Sequence, residues 1–293
     1  MRFRSLPLLA VAGVCLLVAP GARPSAALSF ATPEPLPLPP GGRPSQAEFD
    51  RLARTDPVAM LEACVRRARA DLTGFRAVLS KRERMGSKLY DSETIRVTCR
   101  EAPFAVLMRW DTGARRVLGF SVKATRYEAG AKEPFLVHRP DAFLQKVSSV
   151  GPRDASARAA ARMGIEESGF AHAVRRTQLA WADAEKQGTL KVEYLGIQTH
   201  PDLGDRPCHV LKRTCAGDQI DPFVLSEPPV GVTETNRADS FDAVTIWIDR
   251  ETWLQLGTEQ TRHGELVARY FFRVTERNPA FDKDEFSPAA LKR

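Results

Sequence analysis

Side chains able to do covalent chemistry are thinly spread along this chain. Its five histidines are scattered, and there is no G-x-S-x-G elbow, no glycine-rich phosphate loop and no H-E-x-x-H pair. His200 and His209 flank a predicted hairpin turn with Asp202 between them. Three such residues on a polar turn more commonly face solvent than hold a metal, so none is assigned. Glu166 and Glu167 are adjacent, diverge on a helix, and read as charges at a helix start rather than a paired acid and base. Lys81, Arg82, Arg84 and Lys88 form the densest basic stretch, but Glu83 interrupts it and no stacking aromatics interleave. That run is read as a solvated strand face. Catalysis, a cofactor and nucleic-acid binding are therefore not expected.

What remains is apolar chemistry. Phe104, Val106, Met108 and Trp110 alternate with their neighbours and share one face of a predicted strand, as do Val244, Ile246 and Ile248. Leu254, Leu256, Tyr270 and Phe272 extend the pattern along later strands. If these faces converge beneath helices, they either pack into a closed core or border an apolar cavity, and both outcomes stay open at this level. In a cavity, an acyl chain gains about 0.8 kcal/mol per buried methylene.

The elements that must position these faces follow from periodicity. Asp56 and Pro57 make an N-cap and first turn, and Met60, Leu61, Cys64, Val65, Ala68 and Leu72 follow at helical spacing, predicting a helix over 56–72. A second helix is predicted over 167–187 from Ile165, Phe170, Ala173, Val174, Thr177 and Trp181. Period-two runs predict strands from Phe75 to Leu79, about Ile95 to Arg100, Pro103 to Trp110, Arg115 to Phe120 and Phe135 to His138. After the second helix come Leu190 to Ile197, Pro207 to Thr214, Val244 to Asp249, Trp253 to Gln260 and Leu266 to Thr275. Residues 141–150 read as a short helix or irregular crossing, and 221–239 as a long loop. Two helices are too few to cover so many strands unless the sheet curls round them.

The N-terminus carries an address. Arg2 and Arg4 precede an apolar run from Leu6 to Ala19, and small residues follow at Ser25, Ala26 and Ala27. This is the order of a cleaved signal peptide over 1–27, and the run is short of the roughly 20 residues of a membrane span. Residues 28–55, with six prolines between Pro33 and Pro44, are read as a largely disordered spacer. Residues 56–293 are read as one domain, periplasmic or otherwise extracytoplasmic. Losing Arg2, Arg4 and Arg23 leaves 40 basic against 36 acidic residues, a net +4 that is too mild to argue for nucleic acid. Cys64, Cys99, Cys208 and Cys215 remain after export; free packed thiols are the default, and the sequence does not choose among disulfide pairings.

Three stretches carry a family resemblance: Lys81-Arg82-Glu83-Arg84, the run Arg100 to Trp110, and Gly164 to Phe170. They resemble the DUF1571 family, bacterial proteins of unknown function, within the LolA/LolB/RseB-like superfamily. The run Val244 to Asp249, then Leu254, Leu256, Leu266 to Tyr270, Phe281, Asp282 and Phe286, is similar to the C-terminal half of that superfamily. The resemblance implies a LolA-like α+β fold, mainly β: a strongly curved antiparallel sheet, an incomplete barrel, with helices packed on its concave side. It also implies two classes of function. One is a carrier that takes a lipid or lipoprotein acyl chain against Phe104, Val106, Met108, Trp110, Val244, Ile246, Ile248, Leu254, Leu256, Tyr270 and Phe272. The other is an RseB-like interaction or sensor module with a closed core and an envelope protein as partner.

Overall fold

The folded chain begins earlier than the sequence predicts. A computed structural model describes residues 44–292 apart from 118, 144 and 145; the expected signal segment and most of the expected spacer lie outside these. Yet Gln46–Thr55, assigned to the spacer, forms helix α1. Ser45 starts it by accepting from the Glu48 amide at 3.2 Å. Only Phe49 and Ala53 of α1 are buried, with Leu52 packed partly against the core, and a single i, i+3, i+4 triplet is too short a run to separate a helix from a polar linker.

Helix α2 (Pro57–Asp71) follows directly, with the Asp56 side chain accepting from the Ala59 amide at 2.9 Å. It buries Met60, Leu61, Cys64, Val65 and Ala68, the face predicted from spacing. The chain then runs through β1 (Gly74–Met85), β2 (Lys88–Leu89), β3 (Glu93–Arg100), β4 (Ala105–Thr112), a small separate hairpin of β5 (Arg116–Val117) and β6 (Phe120–Ser121), β7 (Ala124–Glu128), β8 (Phe135–His138) and β9 (Val147–Ser149). Helix α3 (Ala155–Ala160), a 3-10 turn at Ile165–Glu167 and helix α4 (Phe170–Lys186) cross back. Strands β10 (Lys191–Gln198), β11 (Cys208–Gln219), β12 (Phe241–Asp249), β13 (Gln255–Arg262) and β14 (Glu265–Arg277) complete the fold.

Twelve of these strands make one sheet in the order β10-β11-β12-β13-β14-β1-β3-β4-β7-β8-β9, with β2 paired to β1 beside that path. Every pairing is antiparallel. The join is β1 against β14, which places Leu79 beside Phe272 and Lys81 beside Tyr270. The terminal strands β9 and β10 do not meet, so the sheet is not closed. Helices α2 and α4 pack on one another, and their buried faces share a core with Phe75, Ile95, Val106, Ile246 and Leu256.

Three local readings needed the tertiary structure. Strand β7 escapes period-two reading because its buried residues include Thr125 and Arg126; Arg126 is accepted inside because its guanidinium donates to the carbonyls of Phe286 and Glu133. Residues 115–120, read as one strand, fold instead as the β5–β6 hairpin. Residues 141–150 contain β9. The four described cysteines are free and buried, and Cys208 and Cys215 belong to different clusters, as their odd separation along β11 requires.

Candidate functional site

Between the sheet and the returning helices lies a cavity of about 250 Å³. Its walls come from both halves of the sheet: Met108, Trp110, Phe135 and Val137 on one side, Val244, Thr258 and Tyr270 on the other, with Ile165, Ala173 and Thr177 beneath. A single sheet supplies facing walls only by curling round the space, so the curvature is read from the lining itself. Of the residues expected to bind a ligand, the cavity gathers Met108, Trp110, Val244, Tyr270 and Phe272. Phe104, Val106, Ile246, Ile248, Leu254 and Leu256 pack in the core and do not border it. Both outcomes left open by alternation therefore occur, at different heights of one concave face.

The cavity also holds charge that the sequence placed in solvent. The basic run on β1 is a correction to that reading: period two turns Arg82 and Arg84 away but carries Lys81 and Glu83 inward, 8% and 1% exposed. Register supplies their partners, since Lys81 lies directly opposite Glu93 on β3 and Tyr270 on β14. Lys81 Nζ stands 3.0 Å from Glu83 Oε2 and 3.3 Å from Glu93 Oε1. Arg115 closes the ring, its Nη2 donating to Glu83 at 2.7 Å and its Nε 3.0 Å from Glu93. Trp110 Nε1 donates to Glu93 at 2.7 Å, and the Tyr270 hydroxyl donates to Glu83. Burial pushes the Glu83 carboxyl up, but Lys81 and Arg115 outweigh it and hold the group below the usual carboxylate range. Two cations and two anions balance, so the cluster is a polar belt on a mostly apolar wall.

The three stretches that carry the family resemblance converge here. The first supplies Lys81 and Glu83, and the second ends in Met108 and Trp110 after burying Val106 and Leu107. The third joins sheet to helix. Glu167 pairs with Arg176 and accepts from the Leu225 amide, and Phe170 packs its ring 4.3 Å from Phe75 and 5.2 Å from Phe272. Glu101, at the start of the second stretch, accepts from the Phe170 amide at 2.7 Å and so meets the N-terminus of α4. A Cβ on Gly169 would stand 2.6 Å from Glu101 Oε2, which is why glycine precedes the helix.

That contact has a pH signature. Burial raises the Glu101 carboxyl to about 7, against the amide hydrogen bonds of Phe170 and Ala171 that favour its charge. His172, edge-on to Phe104, is lowered to about 4 by burial and then by Arg176 and Arg69. For Glu101 the folded value lies above the ordinary one, so its stabilisation is complete below about 4.5 and is lost as pH rises through about 7. His172 works in the opposite sense, stabilising increasingly as pH rises from about 4 to its ordinary 6.5. The Glu101→Gln variant is expected to lose the decline between pH 5 and 7.5 and keep the His172 rise, measured as urea unfolding free energy. A profile parallel to the wild type would refute the assignment.

The histidine turn does not assemble a metal site. His209 is buried between the Tyr194 hydroxyl at 2.9 Å and Asp50 at 3.0 Å, whereas the His200 ring accepts from the Asp202 amide and meets the Phe271 ring. Asp218, Asp242 and His263 lie near one another at the surface, but Asp218 pairs with Arg262 and Asp242 with His263.

A family model described as "Protein of unknown function (DUF1571)" matches residues 72–226. No curated protein matches the sequence. Among solved structures, the chain is similar to Mycobacterium tuberculosis lipoprotein LppX, at 12% identity over 78% of this chain and 98% of that one, with a TM-score of 0.38. An uncharacterized conserved protein from Thermus thermophilus is similar at 10% identity, over 81% and 94%, with a TM-score of 0.38. A LolA superfamily protein from Nitrosomonas europaea is similar at 9% identity, over 78% and 98%, with a TM-score of 0.30.

Proposed function

The chain belongs to the DUF1571 family, and from its cavity we propose that it is a non-enzymatic binding protein that shelters an apolar chain of the lipid or lipoprotein acyl type. The observation that carries this reading is the cavity of about 250 Å³ whose apolar walls, among them Met108, Ile165, Val244 and Phe272, are supplied by both sheet halves and the crossing helices. Each methylene moved there from water contributes about 0.8 kcal/mol, so a chain of moderate length binds without polar chemistry. The charges of the belt give no catalytic reading, because Lys81, Arg115, Glu83 and Glu93 are committed to one another.

The direct experiment is uptake of a fluorescent fatty acid by protein delipidated in denaturant and refolded. Saturable binding with a blue-shifted probe is expected, and a refolded protein that takes up none would sink the proposal in favour of an interaction module. Val244→Trp tests the place: its indole projects into the cavity and removes room for two or more methylenes. Affinity is expected to fall about tenfold or more, with an overpacking cost of about 1–3 kcal/mol at most. Unchanged affinity in that variant would put the ligand elsewhere.

Export belongs to the same reading. No helix among the described residues is long and apolar enough to cross a membrane, and the N-terminal segment has the order of a cleavable signal. N-terminal sequencing of protein from an envelope fraction is expected to begin near Leu28; recovery of Met1 would refute cleavage.

A further inference from the structure

We propose that Arg213 is the anchor for an anionic head group, so that the ligand of the cavity is a single-chain amphiphile ending in a carboxylate or phosphate. This inference rests on the binding reading above and narrows its ligand. Arg213 lies on β11 opposite Val192 and Val244, and the same row continues across the sheet through Gln260 and Ala268 to Glu83. It therefore shares the concave face with the charged belt, and it borders the cavity while only 5% exposed.

Among the described residues, the cations held largely out of water include Lys81, Arg115, Arg126, Arg162 and Arg213. Lys81, Arg115, Arg126 and Arg162 face carboxylates, but among the described residues Arg213 has no carboxylate within ion-pair distance, and its enclosed Nε has no hydrogen-bond partner. Asp221, which also lines the cavity, accepts from Gln260 instead. A guanidinium held out of water without a counter-charge is costly. Its planar fork is matched to the paired oxygens of a carboxylate or phosphate. The wall toward β7 and β8 presents Val122, Phe135 and Val137, with Thr125 and Arg139 beside them, and Arg139 donates to the Ser148 hydroxyl. One molecule satisfies both ends: an anionic head at Arg213 and a hydrocarbon tail directed at that wall.

The test compares four probes on refolded, delipidated wild type and on Arg213→Met, which keeps the bulk and removes the charge. They are a long-chain fatty acid, its methyl ester, an alkyl phosphate of equal chain length, and inorganic phosphate alone. In the wild type, the acid or the alkyl phosphate is expected to bind about 10- to 100-fold tighter than the ester, the worth of one charge-assisted pair. The preferred head identifies the source, and phosphate alone is expected to bind far more weakly than either amphiphile. In Arg213→Met that preference is expected to vanish while ester affinity holds, and Tm is expected to be no lower than wild type because an uncompensated charge has been removed. Equal binding of acid, phosphate and ester by the wild type overturns the role of Arg213 and leaves the apolar-cavity reading standing. Failure of all three chain-bearing probes overturns both. A preference that survives in Arg213→Met assigns the head group to another cation and overturns the inference, as does a lowered Tm accompanied by loss of all binding.

Discussion

Replacing Phe49 with alanine is expected to destabilise the fold by about 3–5 kcal/mol, the range for truncating a fully enclosed aromatic ring. Phe49 is completely buried although it sits on the helix that precedes the predicted domain. Its ring stacks on Trp253 at 4.2 Å and meets His209 edge-on at 5.5 Å. Trp253 occupies a left-handed backbone conformation, φ 61°, which costs a bulky L-residue roughly 1–2 kcal/mol unless its surroundings hold it there. The next residue, Asp50, ties the same helix to the end of the sheet, with Arg250 at 2.5 Å and His209 at 3.0 Å. These contacts reach residues 159 to about 200 positions away along the chain, so α1 acts as a clasp on the β12–β13 turn. Guanidinium unfolding of Phe49→Ala checks this, with Phe49→Leu expected to recover part of the loss. A midpoint within error of the wild type would show α1 to be dispensable and return it to the spacer.

Glu83→Ala is expected to cost a comparable 3–5 kcal/mol, roughly the penalty for leaving buried charge without its partner. Removing that carboxylate leaves Lys81 and Arg115 to share Glu93, and strips the acceptor from the Tyr270 hydroxyl. The effect separates from simple loss of volume in two ways. Lys81→Met combined with Glu83→Met removes one cation with one anion, leaves Arg115 paired to Glu93, and is expected to recover most of the stability, because apolar replacements of similar volume substitute well for buried ion pairs. The second is pH. Because the Glu83 carboxyl titrates below its ordinary value in the fold, its stabilisation is present above about pH 4.5 and is lost as pH falls through the lowered value. Glu83→Gln should therefore flatten the acid limb of the stability profile. A double variant no more stable than Glu83→Ala would mean the belt is not a balanced unit.

Local pattern made much of the architecture legible. The face of α2 could be read from Met60, Leu61, Cys64 and Val65, because helical spacing and the Asp56 cap are decided within a few residues. The strands around Val106 and Ile246 announced themselves by alternation. The family was legible from three short stretches, and the family model spans all of them; the strands from Val244 onward lie beyond its match. The candidate site was only half legible. Alternation selects a face, so Met108, Trp110, Val244, Tyr270 and Phe272 were found, but it is blind to height along the concave surface and gave Ile248 and Leu256 the same weight although they lie in packed core.

The sequence by itself determined the two helices with long apolar stripes, most strands, and which alternate residues would face inward, because each depends on neighbours one to four positions away. Only the tertiary structure decided which charged residues could be buried. Lys81 on β1 is tolerable inside because β3 brings Glu93 opposite it and a distant hairpin delivers Arg115. Arg213, on a strand of the same alternating kind, meets no such carboxylate among the described residues. Burial of a charge is set by a balance between desolvation and partners, and those partners come from register between strands tens to hundreds of residues apart, which no local period records.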